Sequence, residues 1–150
     1  MQRWIVIGVF AMALLLGGGA VAYKSYKQNL PFPIWVPIPL NPQFPTEKQD
    51  ALAKDLNSKL CTPEILTQVS KDLGLMNEWK MSSDAECAAE LKKRIFVRVG
   101  EMNTPTGLNP TIDVGIRGKN KEHELSGKIC TRLMADVWKI LGIKPPPQKN

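Results

Sequence analysis

The sequence predicts an α+β protein with an N-terminal transmembrane helix, followed by a small antiparallel sheet that carries two or three helices on one face. Three observations support this prediction. The chain begins with an uncharged apolar stretch over residues 5–22, a proline-rich strip follows it, and the periodicity of the remainder changes from helix to strand and back to helix. The 150 residues leave room for one compact domain beside the membrane segment.

The apolar stretch is the first element. Residues 5–22 lie between Arg3 and Lys24 without a charged side chain, and a helix over them would reach about 27 Å, close to the roughly 30 Å of a bilayer core. Ala20-Val21-Ala22 also fits a signal-peptide cleavage site, so cleavage remains an alternative, but the long apolar core favours a retained anchor over residues 1–24. The candidate membrane and interface residues are Trp4, Ile5, Ala13, Gly17, Ala22, Phe32 and Trp35.

The second element, residues 25–45, is an apolar proline-rich linker. Its six prolines all lie within residues 31–45, where they exclude a helix and predict an extended path, either polyproline-like or as an edge strand. A solvated spacer would carry Ser, Gly or charge, so this strip is expected to lie on its own domain, on the membrane surface or against another chain. Trp35 suits a position at the membrane–water interface.

Capping signals divide the following residues into helices. Thr46 and Gln49 form a capping box that predicts a helix to about Leu60, and Thr62-Pro63 begins a second helix that Gly74 ends. Ser83 and Glu86 form another capping box, which predicts a helix ending near residue 94.

Strict alternation then predicts two strands, Ile95 to Val99 and Ile112 to Ile116, joined by a long hairpin loop over residues 101–110. A last amphipathic helix ends at Gly142. The predicted α+β domain therefore covers residues 46–142, and residues 143–150 form a proline-rich tail.

The charge distribution excludes a nucleic-acid partner. The net charge is +6, but residues 1–30 hold three basic and no acidic side chains, and the remainder is nearly balanced and mixed. Its one basic run, residues 92–94, ends a predicted helix, where cations complement the helix dipole.

The sequence contains no catalytic or cofactor-binding motif, so we expect a protein that is not an enzyme and needs neither a cofactor nor a metal. His123 is predicted to be an exposed residue in the first turn of the last helix. The candidate disulfide residues are Cys61, Cys87 and Cys130; two of them would pair in an oxidising compartment, and buried reduced thiols are the alternative.

One stretch resembles a known family. Residues 59–75 read Lys-Leu-Cys-Thr-Pro-Glu-Ile-Leu-Thr-Gln-Val-Ser-Lys-Asp-Leu-Gly-Leu, followed by Glu78-Trp79. This is similar to the segment after the first membrane span in the polysaccharide chain-length determinants, the Wzz-type co-polymerases. The order of elements is also similar over residues 50–141, which would correspond to the family's membrane-proximal periplasmic domain. A second membrane span and a Walker motif are not found.

The resemblance implies a single-pass protein of the bacterial inner membrane with its domain in the periplasm. It further implies a non-enzymatic, oligomeric regulator of surface polysaccharide assembly, acting on O-antigen, capsule or exopolysaccharide. The expected partners are the lipid bilayer, further copies of the chain, and the polysaccharide or its polymerase. The alternative is a structural subunit of another membrane complex that docks through the apolar strip over residues 31–45.

Overall fold

A computed structural model describes residues 22–105 and 107–143. In chain order, the helices are α1 (residues 22–29), α2 (Thr46–Leu60), α3 (Pro63–Leu73), α4 (Leu75–Trp79), α5 (Asp84–Arg94) and α6 (His123–Leu141). The strands are β1 (Pro31–Pro39), β2 (Ile95–Thr104) and β3 (Gly107–Lys119), and a 3₁₀ turn over Asn120–Glu122 precedes α6. The three strands form an antiparallel sheet in the order β1-β3-β2, which confirms the predicted α+β class.

The core lies between one face of the sheet and the helices. Ile112, Val114 and Ile116 alternate along β3 and are at most 1% exposed. The first two pack with residues of α2 and the C-terminal half of α6, and Ile116 packs with α3, α5 and the N-terminal half of α6. With Leu75 of α4, five helices supply buried side chains to this core, where the sequence predicted two or three helices on the sheet.

The proline-rich strip forms an edge strand because its prolines fall on alternate residues. At the ends of β1, the N–H of Leu40 donates to the carbonyl of Pro110 at 2.9 Å, and the carbonyl of Leu30 accepts from Asn120 at 3.1 Å. Alternate residues point their backbone groups to the same side of a strand, so the even-numbered residues of β1 bond to β3. The four prolines of β1 are odd-numbered, and each places its missing N–H at the free edge, where no ladder bond is lost.

The structure corrects the predicted hairpin loop. Residues 101–104 continue β2 and residues 107–110 belong to β3, so the strands pair from Thr104↔Gly107 onward. Pro110 misled the prediction. Proline usually interrupts a strand because it has no N–H. Pro110 lies opposite Leu40, which follows the end of β1, so its missing N–H removes no hydrogen bond between β1 and β3.

The helix ends confirm most of the capping predictions. Gly74 and Gly142 have φ of 61° and 67°, the left-handed conformation that ends a helix. The Ser83 hydroxyl accepts from the Glu86 N–H at 3.2 Å, while the Glu86 carboxylate accepts from Ser82 rather than from Ser83.

The capping box at Thr46 is wrong. The N-cap is Pro45 without a side-chain cap bond, and Gln49 instead donates to the Phe44 carbonyl at 2.7 Å. The predicted end at Gly74 is followed at once by α4, which the sequence analysis did not predict.

Within residues 22–105 and 107–143, no helix is long and apolar enough to cross a bilayer. The predicted anchor, residues 1–24, lies outside these ranges except for residues 22–24, which begin the described part of α1. Trp4, Ile5, Ala13 and Gly17 are likewise outside the described residues, as is the predicted tail after residue 143.

Candidate functional site

The sheet face opposite the helices carries a cluster of aromatic and charged side chains. The register places Trp35 and Phe96 on either side of Gly115, and Pro37 and Arg98 on either side of Asp113. Side chains alternate between the faces of a strand, so these residues point away from Ile112, Val114 and Ile116. We call this surface the open face; its residues are Trp35, Pro37, Phe96, Arg98, Gly100, Thr111, Asp113, Gly115 and Arg117.

Gly115 leaves room above the middle strand for the side chains of Trp35 and Phe96. A Cβ at this position would lie 2.7 Å from the Trp35 Cβ and 2.7 Å from the Phe96 Cζ, and it would also overlap the Ile34 carbonyl oxygen. The missing side chain therefore lets the Phe96 ring and the Trp35 Cβ lie close to the backbone of β3. Trp35 remains accessible to solvent, since it is 45% exposed.

Two arginines complete the aromatic cluster. The Arg98 Cζ lies 5.4 Å from the ring centroids of both Trp35 and Phe96, and the Arg117 Cζ lies 5.7 Å from the Phe96 centroid. These distances are within the range of cation–π attraction, which orients a guanidinium without removing it from water. The Arg98 side chain is 57% exposed, so its remaining N–H donors can reach a ligand.

Asp113 contributes a carboxylate at the base of this cluster. Its side chain is only 8% exposed and accepts hydrogen bonds from the Thr111 hydroxyl at 2.9 Å and from Arg98 Nε at 3.3 Å. Gly100, on the neighbouring strand, provides the space: a Cβ there would lie 2.5 Å from Asp113 Oδ2. The burial of a charged carboxylate is compensated by these two donors.

A shallow cavity of about 490 Å³ opens beside these groups. It is lined by Trp35, Pro37, Arg98, Val99, Gly100, Glu101, Met102, Asn103 and Asp113. A flat apolar ring, a guanidinium and carboxylates suit a ligand that has an apolar face and a polar rim, such as a sugar ring. The described part of the chain contains no group of three or more residues that could hold a metal ion.

The two predicted interface residues of β1 lie on opposite faces of the sheet. Trp35 belongs to the open face, whereas Phe32 is on the helix side, where its ring contacts His123 with centroids 4.9 Å apart. Phe32 is 39% exposed and His123 is exposed, as the sequence predicted for the histidine.

The cysteines are free thiols. Cys87 and Cys130 are buried and Cys61 is half-buried. Burial raises the pKa of the Cys61 thiol, against the opposing charge of Lys92, and burial raises the pKa of the Cys130 thiol as well. Thiols with raised pKa values are poor nucleophiles at neutral pH.

Sequence reasoning did not single out Phe96, Arg98, Thr111 and Asp113. The sequence signal for Phe96 and Arg98 was their alternation with Ile95, Val97 and Val99. For Thr111 and Asp113 it was the polar side of the alternation in the second predicted strand. Such a pattern usually indicates a solvated sheet face. Here Thr111 and Asp113 are buried at 0% and 5% exposure, which only the pairing with β1 and β2 explains.

Comparisons with known proteins found no matching family model, no matching curated protein and no matching solved structure. The function is therefore inferred from the chain's own residues and their contacts.

Proposed function

We propose that the chain is a non-enzymatic, membrane-anchored, oligomeric regulator of surface polysaccharide assembly, and that it contacts the polysaccharide through the open face. The observation that carries this proposal is the exposed Trp35 indole beside Arg98 and the Asp113 carboxylate. The indole offers an apolar surface to the C–H face of a sugar ring. The charged groups offer hydrogen bonds to hydroxyl or carboxyl groups on the ring's rim.

The proposed membrane location has support at the other end of β1. Asn120 ties α1 to the domain, because its side-chain amide donates to the Lys27 carbonyl at 2.9 Å and its backbone N–H donates to Leu30. Lys24, Lys27 and Lys121 line a cleft there, which suits contact with anionic headgroups. In this proposal, residues 1–24 anchor the chain in the inner membrane and the domain lies in the periplasm.

Polysaccharide length tests the function. A strain that lacks the gene is expected to show an altered length distribution or amount of surface polysaccharide on a gel, and the wild-type gene is expected to restore it. Trp35→Ala should restore it poorly, while Trp35→Phe, which keeps an aromatic ring, should restore it largely. An unchanged polysaccharide in the deletion strain would refute the proposal.

Direct binding gives a second readout. The full chain in mild detergent is titrated with polysaccharide purified from the same cells, and intrinsic tryptophan fluorescence is recorded. Wild type should show a saturable change that is lost in Trp35→Phe, because Trp35 lies on the open face, whereas Trp79 and Trp138 pack against the core. Binding of unchanged strength in Arg98→Ala, or a fluorescence change that persists in Trp35→Phe, would place the polysaccharide elsewhere on the molecule.

A second function is favoured by one further observation. Trp35 and Val36 are 45% and 36% exposed and face opposite sides of the proline-rich strand, so this strip retains apolar surface that its own domain does not cover. We propose as the alternative that the chain is a structural subunit of another membrane complex that docks there. Purification in mild detergent discriminates: unrelated subunits in fixed stoichiometry support the alternative, and copies of this chain alone support the first proposal.

A further inference from the structure

The two edges of the sheet differ in their capacity to bind another strand. On β1, the odd-numbered residues face the free edge, and four of the five are prolines. Trp35 is therefore the only residue of this strand with an N–H directed outward. An edge that lacks donors cannot continue an antiparallel ladder, so β1 is protected against strand addition.

The edge of β2 has no such protection. The even-numbered residues of β3 form their backbone hydrogen bonds with β1, and the odd-numbered residues of β3 form theirs with β2. In the register, the odd-numbered residues of β3 lie opposite the even-numbered residues of β2. The outward residues of β2 are consequently Ile95, Val97, Val99, Glu101 and Asn103, none of which is a proline. The Ile95 N–H caps α5 through the Leu91 carbonyl, and the N–H groups of the residues after it point to the free edge.

A groove runs along this edge. Its cavity of about 400 Å³ is lined on one side by residues 50, 53, 54 and 57 of α2, which form one stripe of that helix, and on the other by residues 95–99 of β2. Because the lining includes both faces of β2, the groove opens at the edge of the sheet. Asp50 and Lys54 give its helical wall opposite charges one turn apart, so the wall does not repel a second copy of itself.

We propose that β2 is a dimerisation edge, at which two copies of the chain pair their β2 strands antiparallel about a two-fold axis through Val99. In this register Val99 bonds to the partner's Val99, and Val97 bonds to the partner's Glu101. About six backbone hydrogen bonds form between the copies. This pairing follows from the chemistry of the two sheet edges, whether or not the chain binds polysaccharide.

Charge complementarity selects the second copy as the occupant. The proposed register places Arg98 opposite the partner's Gly100, and in each copy the Asp113 carboxylate lies in the space that the missing side chain of Gly100 leaves. Each Arg98 can therefore extend across a bare glycine toward an acid of the other copy. A register shifted by one residue pair toward the N-terminus would instead place the two Arg98 side chains directly opposite each other, where like charges repel.

The blocked edge of β1 determines where assembly stops. A sheet with two open edges could add strands without limit, whereas a pairing of identical β2 edges uses both open edges and closes as an isologous dimer. The resulting six-stranded sheet has a proline-rich β1 at each end. The two open faces then lie on the same side of one continuous sheet.

The test uses the full chain in mild detergent, with its mass measured by analytical ultracentrifugation. Wild type should form dimers, and Val99→Pro should raise the dissociation constant at least about tenfold, since it removes the two central interchain bonds without removing a bond within the chain. Val99→Thr keeps the N–H and the branched shape and should dimerise as wild type does. A monomeric wild type, or unchanged dimerisation of Val99→Pro, would overturn the proposal.

Cysteine cross-linking tests the register even if the proline variant fails to fold. In a Cys61→Ser background, Val99→Cys is expected to yield a disulfide-linked dimer in membranes, because the two-fold axis brings the two copies of this residue together. Val97→Cys should not cross-link to itself, since its partner in this register is Glu101. Equal cross-linking from Pro37→Cys on the blocked edge, or stronger cross-linking from Val97→Cys, would contradict the pairing.

Discussion

Arg94 lies over the indole of Trp79, with its Cζ 4.7 Å from the ring centroid. The same guanidinium forms ion pairs with Glu90 and with Glu122, both at 2.8 Å. These contacts connect the end of α5 to the 3₁₀ turn before α6. The side chain is only 19% exposed, so the cluster is much less screened by solvent than the exposed pairs Lys59–Asp55 and Lys128–Glu124.

Replacing Arg94 by alanine is therefore expected to lower the free energy of unfolding by about 1 to 3 kcal/mol, because two partly buried carboxylates and an aromatic face lose their shared cation. Urea unfolding followed by circular dichroism measures it. The matched control is Lys59→Ala, which removes an ion pair with Asp55 whose side chains are both 54% exposed. This control should change stability by no more than about 0.5 kcal/mol.

The same cluster predicts how stability depends on pH. The hydrogen bond from Arg94 lowers the pKa of the Glu90 carboxyl. A depressed pKa stabilises the folded state above the ordinary glutamate pKa of about 4.3, and this stabilisation is lost as the pH falls through the folded pKa. Stability should fall between about pH 5 and pH 3, and the fall should be shallower in Arg94→Ala. If the unfolding free energy fell equally steeply with pH in both proteins, the Arg94–Glu90 pair would not contribute to the pH dependence.

Gly115 is predicted to be the least replaceable glycine of the sheet. An alanine there would clash with the Ile34 carbonyl, the Phe96 ring and the Trp35 Cβ, so Gly115→Ala should cost about 1 to 3 kcal/mol and loosen β1. Gly127 in α6 is the control, because a Cβ at that site meets nothing within 4 Å. Gly127→Ala should stabilise the protein by about 0.5 to 1 kcal/mol. Both are compared by their unfolding midpoints in urea.

Much of the fold could be predicted because local signals and tertiary structure agree in most segments. The alternation of Ile112, Val114 and Ile116 correctly identified the central strand, and Gly142 correctly ended the last helix. The pairing of β1 with β3 could not be predicted. Prolines are tolerated in a strand when they all face a free edge, and whether they do depends on how the strand is paired with its neighbour. The open face was missed for the same reason, since its residues come from three separate segments.

The thiols are expected to react in the order of their exposure. Cys61, which is half-buried, should be alkylated by iodoacetamide in the native protein, but more slowly than a fully exposed thiol, because burial raises the pKa of Cys61. Cys87 and Cys130 should react only after unfolding. Mass spectrometry of tryptic peptides after timed labelling measures the order. Rapid labelling of Cys130 in the folded protein would contradict its buried position.

Asp113 and Thr111 provide the sharpest test of how the open face is held. The Thr111 residue is fully buried, and its hydroxyl donates to the Asp113 carboxylate at 2.9 Å. Asp113→Ala leaves this hydroxyl without an acceptor and should cost about 1 to 3 kcal/mol. Asp113→Asn keeps an acceptor oxygen and loses only the charge facing Arg98, which is largely exposed, so it should cost less than about 1 kcal/mol.

The double variant Thr111→Val with Asp113→Ala separates hydrogen bonding from packing. Removing both partners leaves no buried group unsatisfied, so its cost in urea unfolding should be smaller than the sum of the two single costs. Additive costs would mean that the two side chains act independently. If Asp113→Asn were as damaging as Asp113→Ala, the charge toward Arg98, rather than the Thr111 bond, would be what fixes the carboxylate at the base of the open face.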